Sequence, residues 1–400
     1  MKQGVNWRRN LWILLFGTFI TGVAFNEIIP FMSLFIIQLG HFTHNQLSIL
    51  SGIVYAASFF VVAFTAPFWG AFADRHGRKR MILQTSLGSA VVIALMAFVT
   101  NVDQFIFLRF LQGVFDGVIP NSIALVATET PKKHVEWALS VLSIGYVGGM
   151  LIGPIIGGYL VAIFSIRLTF IITGLLLFAF FGLSALAVKE NFTPPKNSKK
   201  MHFSIHVFRR FPKPRFIMWM LITTISIQIC INLIFPIITL FVKQLMHNQG
   251  PISQVAGIIS ALPGIAMVMT STPMGKYGEN HGTGKVLMLG FWIGIIFYFP
   301  QGFATGVWML GLFRFLNGIS NAALFPAIQT LLAKNTPQQS TGMAFSLNQS
   351  AQAIGAVIGA TFGGLISNLL GYRGVFFCAG IILIINLILL KLFVPELKKE

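Results

Sequence analysis

The chain has 400 residues, 55% of them apolar and only 10% charged, and its 28 Lys and Arg outnumber its 10 Asp and Glu. A soluble domain puts roughly a quarter of its residues into charge to keep its surface wet, so a water-facing globule is excluded and most of this surface must meet lipid. The abundance of Phe (40) and Gly (39) suits helices packed within a bilayer, and Cys230 and Cys378, far apart in apolar runs, make neither a disulfide framework nor a thiolate metal site.

Apolar runs long enough to cross a hydrocarbon core about 30 Å thick fall in chain order at 11–38, 48–70, 81–100, 105–128, 137–163 and 167–188. After a polar break they resume at 215–242, 253–273, 285–303, 306–332, 341–367 and 371–394. The expected fold is an all-α membrane protein of twelve transmembrane helices in two six-helix bundles, residues 1–188 and 215–400. A cytoplasmic linker, 189–214, with Pro194, Pro195, Pro212 and Pro214 among lysines, joins them. The first span follows Arg8 and Arg9 but is too long for a signal-peptide core, so it is expected to remain in the mature protein.

Loop charge decides between topology and nucleic acid. Twenty-three of the 28 basic residues fall on the side holding both termini, the 2/3 loop and the linker, whereas Arg167, Lys243 and Arg373 fall on the other and Arg109 and Arg314 lie inside spans. That imbalance places both termini in the cytoplasm, and nucleic-acid binding is excluded as the meaning of the basic excess.

The halves repeat at an offset of 205 to 206 residues. Asn26, Pro30, Leu34 and Phe35 meet Asn232, Pro236, Leu240 and Phe241. Arg109-Phe110-Leu111 meets Arg314-Phe315-Leu316, and Gly149, Gly153 and Gly157 meet Gly355, Gly359 and Gly363. Repeats of this kind place a substrate site between them near the midplane.

Two acids lie well inside spans, Glu27 and Asp116, each 11 residues from the outer end of its run and hence about 16 Å deep. Intramembrane carboxylates are expensive and usually face a cavity, and burial disfavours their charged form, which suits a proton carrier. Arg109, two turns before Asp116 on one face of a continuous helix, is the expected cationic neighbour. Neither acid is repeated: Leu233 and Asn321 stand at the matching positions. Proton coupling is therefore expected in the first half alone.

The 2/3 loop carries Gly70, Asp74, Arg75, Gly77, Arg78 and Lys79 as GxxxDRxGRK, which resembles the signature of the major facilitator superfamily; a degenerate copy keeps Gly275, Glu279 and Gly282. Gly145, Gly149, Gly153, Pro154 and Gly157, ending GPIIGGYL, look like the helix 5 motif of that family's drug/proton antiporters, and Arg109-Phe-Leu-Gln112-Gly113 resembles its helix 4 RxxQG motif. The plain reading of the glycines is close helix packing. The resemblance implies that Asp74 latches one conformation and that Arg109 takes part in proton transfer with Glu27 and Asp116. It also implies a central path lined by helices 1, 4, 7 and 10, where Asn26, Phe31, Phe115, Gln228, Asn232, Phe235, Asn317 and Asn321 are the candidate substrate contacts.

The expected activity is export of amphipathic drugs or toxic compounds in exchange for protons, by a monomer in a bacterial plasma membrane. A dedicated metabolite or sugar exporter and an uptake symporter share the fold and stay open as alternatives. No phosphate-binding GxxxxGK[ST] occurs, His41 and His44 lack a third metal ligand, and no enzyme chemistry, metal or cofactor is called for.

Overall fold

The computed structural model describes residues 6–192, 212–336 and 341–394, and the regular structure there is helical. The first half holds α1 (Trp7–Asn26), a 3-10 turn (Ile29–Phe31), α2 (Met32–Gln38), α3 (His44–His76) and α4 (Arg78–Met96). It continues with α5 (Val102–Val114), α6 (Val118–Glu129), α7 (Val135–Ile163) and α8 (Ile166–Ala187). The second half holds α9 (Pro214–Ile234), α10 (Ile238–Leu245), α11 (Ile252–His281), α12 (Thr283–Gly302), α13 (Val307–Lys334) and α14 (Thr341–Phe393). Side-chain caps set several starts: Asn6 accepts from the Arg9 amide at 3.1 Å, Asn101 from Gln104 at 2.9 Å and Ser165 from Leu168 at 3.1 Å.

α14 contains an apolar stretch of 47 residues, Leu347–Phe393, about 70 Å if straight and so twice the bilayer core. It turns at Gly371, whose φ of 70° and ψ of 175° are non-helical, and makes two crossings. Counting α1 with α2, α5 with α6 and α9 with α10 as single crossings gives twelve among the described residues.

Three of these crossings correct the expectation of unbroken helices over 11–38, 105–128 and 215–242. Pro30 and Pro236 lack an N–H and clash with the carbonyl four residues earlier, and α1 ends at Asn26 and α9 at Ile234. The third break, at 115–117, separates α5 from α6. Pro120 alone does not explain it, because α13 runs unbroken through Pro326. The differing position is Gly117, a poor helix former, against Ala322, the best, at the register set by Gly113 and Gly318.

The chain groups into two compact units, residues 1–41 with 60–201 and residues 42–59 with 202–400, so α3 contributes its first part to the second unit. In the first unit α1 packs along α7 and α4 along α8; in the second α9 packs along α14, and α13 lies against α11 and α12. The glycine stripes explain the closest of these contacts. A Cβ on Gly149 would stand 2.2 Å from the Phe19 carbonyl oxygen and one on Gly157 2.2 Å from that of Glu27. At the repeat positions, a Cβ on Gly355 would stand 2.6 Å from the Ile225 oxygen and one on Gly363 2.3 Å from that of Leu233. In both stripes backbone meets backbone.

Arg167 and Arg373, which stand apart from the basic-rich loops, also have a repeated job. Arg167 donates from Nη1 to the Ala97 carbonyl at 2.6 Å and from Nη2 to Val99 at 3.0 Å, just past the end of α4. Arg373 donates to Ala304 at 3.3 Å, just past α12. A cation at a helix C-terminus meets the negative end of its dipole, which accounts for basic residues on the side that topology leaves nearly free of them. Large exposed apolar side chains such as Trp308, Leu186 and Leu369 form faces suited to lipid.

Candidate transport sites in the two units

Both intramembrane acids of the first unit sit where a helix is broken. Glu27 follows the last residue of α1 and is fully buried. Its Oε1 pairs with the Thr173 hydroxyl of α8, and its Oε2 has no hydrogen-bond partner among the described residues. The same hydroxyl lies 2.8 Å from the Thr169 carbonyl oxygen. One hydroxyl proton cannot serve both acceptors at once. With that proton on Thr169, the contact requires the Glu27 carboxyl to supply its own. Gly153 and Gly157 wall the acid from α7, where a larger residue would collide with it.

Asp116 lies in the α5/α6 break, half-buried. Breaking a helix within a bilayer frees carbonyls that must find donors. Thr65 donates to Gly113 at 3.4 Å, Trp69 Nε1 to Val114 at 2.7 Å and Ser89 to Phe115 at 3.1 Å. Asn121 Nδ2 reaches back to the Gly117 carbonyl at 2.7 Å. These four side chains hold the break open around Asp116.

The break also removes the single helical face on which Arg109 and Asp116 were expected to meet. Arg109 is 4% exposed and donates from Nη1 to Gln112 Oε1 one turn on. The two line a cavity of about 10 Å³ with Phe25, Met32, Ile93 and Phe170, room for about one water. Asn26 donates to the Gly22 carbonyl at 2.8 Å, Phe115 is half-buried, and Phe31 is fully enclosed.

The second unit gathers Gln228, Asn232 and Phe235. Asn232 donates from Nδ2 to the Gln228 carbonyl at 2.7 Å and to its Oε1 at 3.0 Å, while its Oδ1 accepts from the Tyr55 hydroxyl at 3.1 Å. Tyr55, on the part of α3 that belongs to this unit, stacks on Phe235 with centroids 5.9 Å apart. Sequence reasoning missed Tyr55; its only signal is one polar aromatic in the apolar run SGIVYAASFF. On α13, Asn317 is buried and Asn321 half-buried.

At the 2/3-loop motif, Gly70, Asp74 and Arg75 fall on α3, and the side chains of Asp74 and Arg75 lie outside the described residues. Gly77 joins α3 to α4 with φ 95° and ψ 151°, and its repeat Gly282 joins α11 to α12 with φ 99° and ψ 140°. That region is essentially closed to residues with a Cβ, which is why the glycine is kept in both copies. Glu190 then caps α4, its Oε1 accepting from the Arg78 amide and its Oε2 from the Lys79 amide, both at 2.8 Å. A carboxylate at a helix N-terminus satisfies unpaired amides and the dipole together. Asn10 and Lys189 exchange reciprocal bonds of 2.6 and 3.1 Å, so the first residues of the 189–214 stretch are tied to the first unit.

The family model described as Major Facilitator Superfamily matches residues 14–253 and 245–400. The multidrug resistance protein MdtG of Escherichia fergusonii is 39% identical over 96% of this chain and 94% of that relative. The protein of the same name from Salmonella arizonae is 40% identical over 95% and 94%. Among solved structures, a bacterial homologue of the human lysosomal transporter Spinster, inward-facing and occupied, has a TM-score of 0.80 at 13% identity, covering 97% of each chain. The nucleoside transporter NupG has a TM-score of 0.79 at 13% identity, covering 97% of this chain and 99% of its own. A fold match at that identity speaks for architecture alone. The family match across both halves and the curated relatives over nearly the whole length agree with the repeat, the broken crossings and the paired glycine stripes: this chain belongs to the major facilitator superfamily.

Proposed function

We propose that the chain is a multidrug exporter of a bacterial plasma membrane, a monomer with both termini in the cytoplasm. In this reading, bundles 1–188 and 215–400, joined by 189–214, alternate access to amphipathic compounds in exchange for protons. The observation that carries the reading is Glu27: a carboxyl fully enclosed within a membrane span, held by one hydroxyl on Oε1 and by no hydrogen-bonding group on Oε2. An ionised carboxylate so placed would be very costly, and such a group neutralises instead. Its proton is then the exchangeable cargo. Asp116, beside four side chains that keep its helix open, is the second carrier, with Arg109 as the cation that moderates it.

The relatives named as multidrug resistance proteins support export of toxic compounds, and the helix 5 glycine-proline run supports antiport over uptake. Compounds would contact Asn26, Phe31 and Phe115 in the first half and Gln228, Asn232, Phe235, Asn317 and Asn321 in the second, while Asp74 and Arg75 latch the cytoplasmic side. The test is ethidium efflux from energised cells, with and without a protonophore. Efflux should collapse with the proton gradient and should fall to the level of cells lacking the protein in Glu27→Gln. Protonophore-resistant efflux, or full gradient-driven efflux by Glu27→Gln, would overturn the reading.

A further inference from the structure

The second unit contains a buried cation whose needs the described residues of this half do not meet. Arg314 and Asn317 stand one turn apart on α13, 4% and 1% exposed, and neither Arg314 Nε nor Asn317 Nδ2 has a hydrogen-bond partner among the described residues. Buried donors are nearly always paired, so two orphans a turn apart on one helix ask for a shared acceptor. The repeat explains their origin. In the first unit the matching residues, Arg109 and Gln112, close on each other. Asparagine is one methylene shorter than glutamine, and the pair at 314 and 317 stays open.

Charge narrows the acceptor. A guanidinium remains protonated in proteins, and a buried charge without a counter-charge is strongly unfavourable. From residue 215 onward the only acids are Glu279, Glu396 and Glu400. Glu279 is in the last turn of α11, and Glu396 and Glu400 lie outside the described residues. The phenol of Tyr298 on α12, buried as well, is a neutral group. A neutral acceptor would satisfy the two donors and leave the charge. A carboxylate would satisfy both, since its two oxygens accept from a guanidinium and an amide at once in charge-assisted bonds.

From this geometry we infer that Arg314 and Asn317 form a buried oxyanion site that receives the carboxylate head group of an amphipathic anionic compound. The inference rests on the export reading for the claim that such compounds are cargo, and its test needs no transport.

Full-length protein in nanodiscs is titrated with 9-anthracenecarboxylate and with the uncharged 9-anthracenecarboxamide, followed by fluorescence anisotropy. The carboxylate should bind about tenfold tighter than the amide, the scale of one charge-assisted contact. Arg314→Gln should abolish the preference while leaving the amide's affinity unchanged. Asn317→Gln, which restores the reach that closes the pair in the first unit, should weaken the carboxylate selectively; this variant keeps the test alive if Arg314→Gln fails to fold. A preference unchanged in Asn317→Gln, or absent from the parent protein, overturns the site. Thermal melts separate the anion sources: stabilisation by the carboxylate beyond that given by equimolar sodium chloride is expected. Equal stabilisation would assign the pair to an inorganic ion and overturn the head-group claim. Failure of proton-driven ethidium efflux would sink the export reading and leave these binding results standing.

Discussion

At Gly157 a single hydrogen in place of a methyl group lets α7 touch the backbone of Glu27. The Cβ of an alanine would stand 2.2 Å from the Glu27 carbonyl oxygen, so Gly157→Ala must push the helices apart. Overpacking of this kind costs about 1–3 kcal/mol. A lower melting temperature in detergent is expected, and Gly363→Ala should show the same loss through Leu233. Thr173 offers a finer test of the acid itself. Thr173→Val keeps the shape and removes the one hydroxyl that partners Glu27, leaving a buried polar group unsatisfied at about 1–3 kcal/mol. Thr173→Ser should retain parental stability and efflux, whereas Thr173→Val should lose both in part. Equal behaviour of the two variants in melts and efflux assays would remove Thr173 from the account.

At the scale of elements, the α5/α6 break is the feature most open to test. Gly117→Ala supplies a better helix former, by about 1 kcal/mol, at the residue that distinguishes this crossing from unbroken α13. Folding should survive and ethidium efflux should drop, because a rewound helix withdraws Asp116 from its opening. Trp69→Phe removes the 2.7 Å bond to the Val114 carbonyl and should lower the melting temperature. Unchanged melts would show that the Val114 carbonyl finds another donor.

Much of this level was legible beforehand. Hydropathy located every crossing, because lipid demands about 20 apolar residues whatever the local geometry, and the internal repeat paired the glycine stripes before any contact was known. The breaks were not legible, since a non-helical turn inside a span is as apolar as the helix around it. Pro30 and Pro236 hinted at two of them. The third depended on Gly117 acting together with side chains from α3 and α4, which no local pattern reveals. Of the site residues, the burial of Glu27 followed from its place in the run, but its partner Thr173 is 146 residues away. Tyr55 and Glu190 were missed for the same reason. Each acts on a part of the chain more than 100 residues distant.

For the whole molecule, the charge asymmetry yields an orientation that labelling can check. In a variant with Cys230 and Cys378 replaced by Ser, a cysteine at Gln249 should react with a membrane-impermeant maleimide on intact cells, and one at Lys133 should not. The reverse pattern would invert the topology. Arg167 and Arg373 are the instructive exceptions to the loop rule. Each is held by carbonyls past a helix end, so Arg167→Ala should lower stability without altering orientation.

The glycine stripes have a mechanical consequence. Where backbone meets backbone no rotamers are frozen on assembly, so the glycine contacts of α1 with α7 and of α9 with α14 add little side-chain entropy cost. Side chains lock the same seams on either side of the glycines: Trp7 meets Trp137 edge-on with centroids 6.5 Å apart, and Thr224 donates to Asn348 Oδ1 at 2.7 Å. Each pair is therefore a stiff double strut, and bending during a transport cycle concentrates at the interruptions near Glu27, Asp116 and Phe235. Amide hydrogen exchange should be slowest along residues 17–25 and 223–233 and markedly faster at 115–117, which would make the sites of proton and compound contact the hinges of the molecule as well.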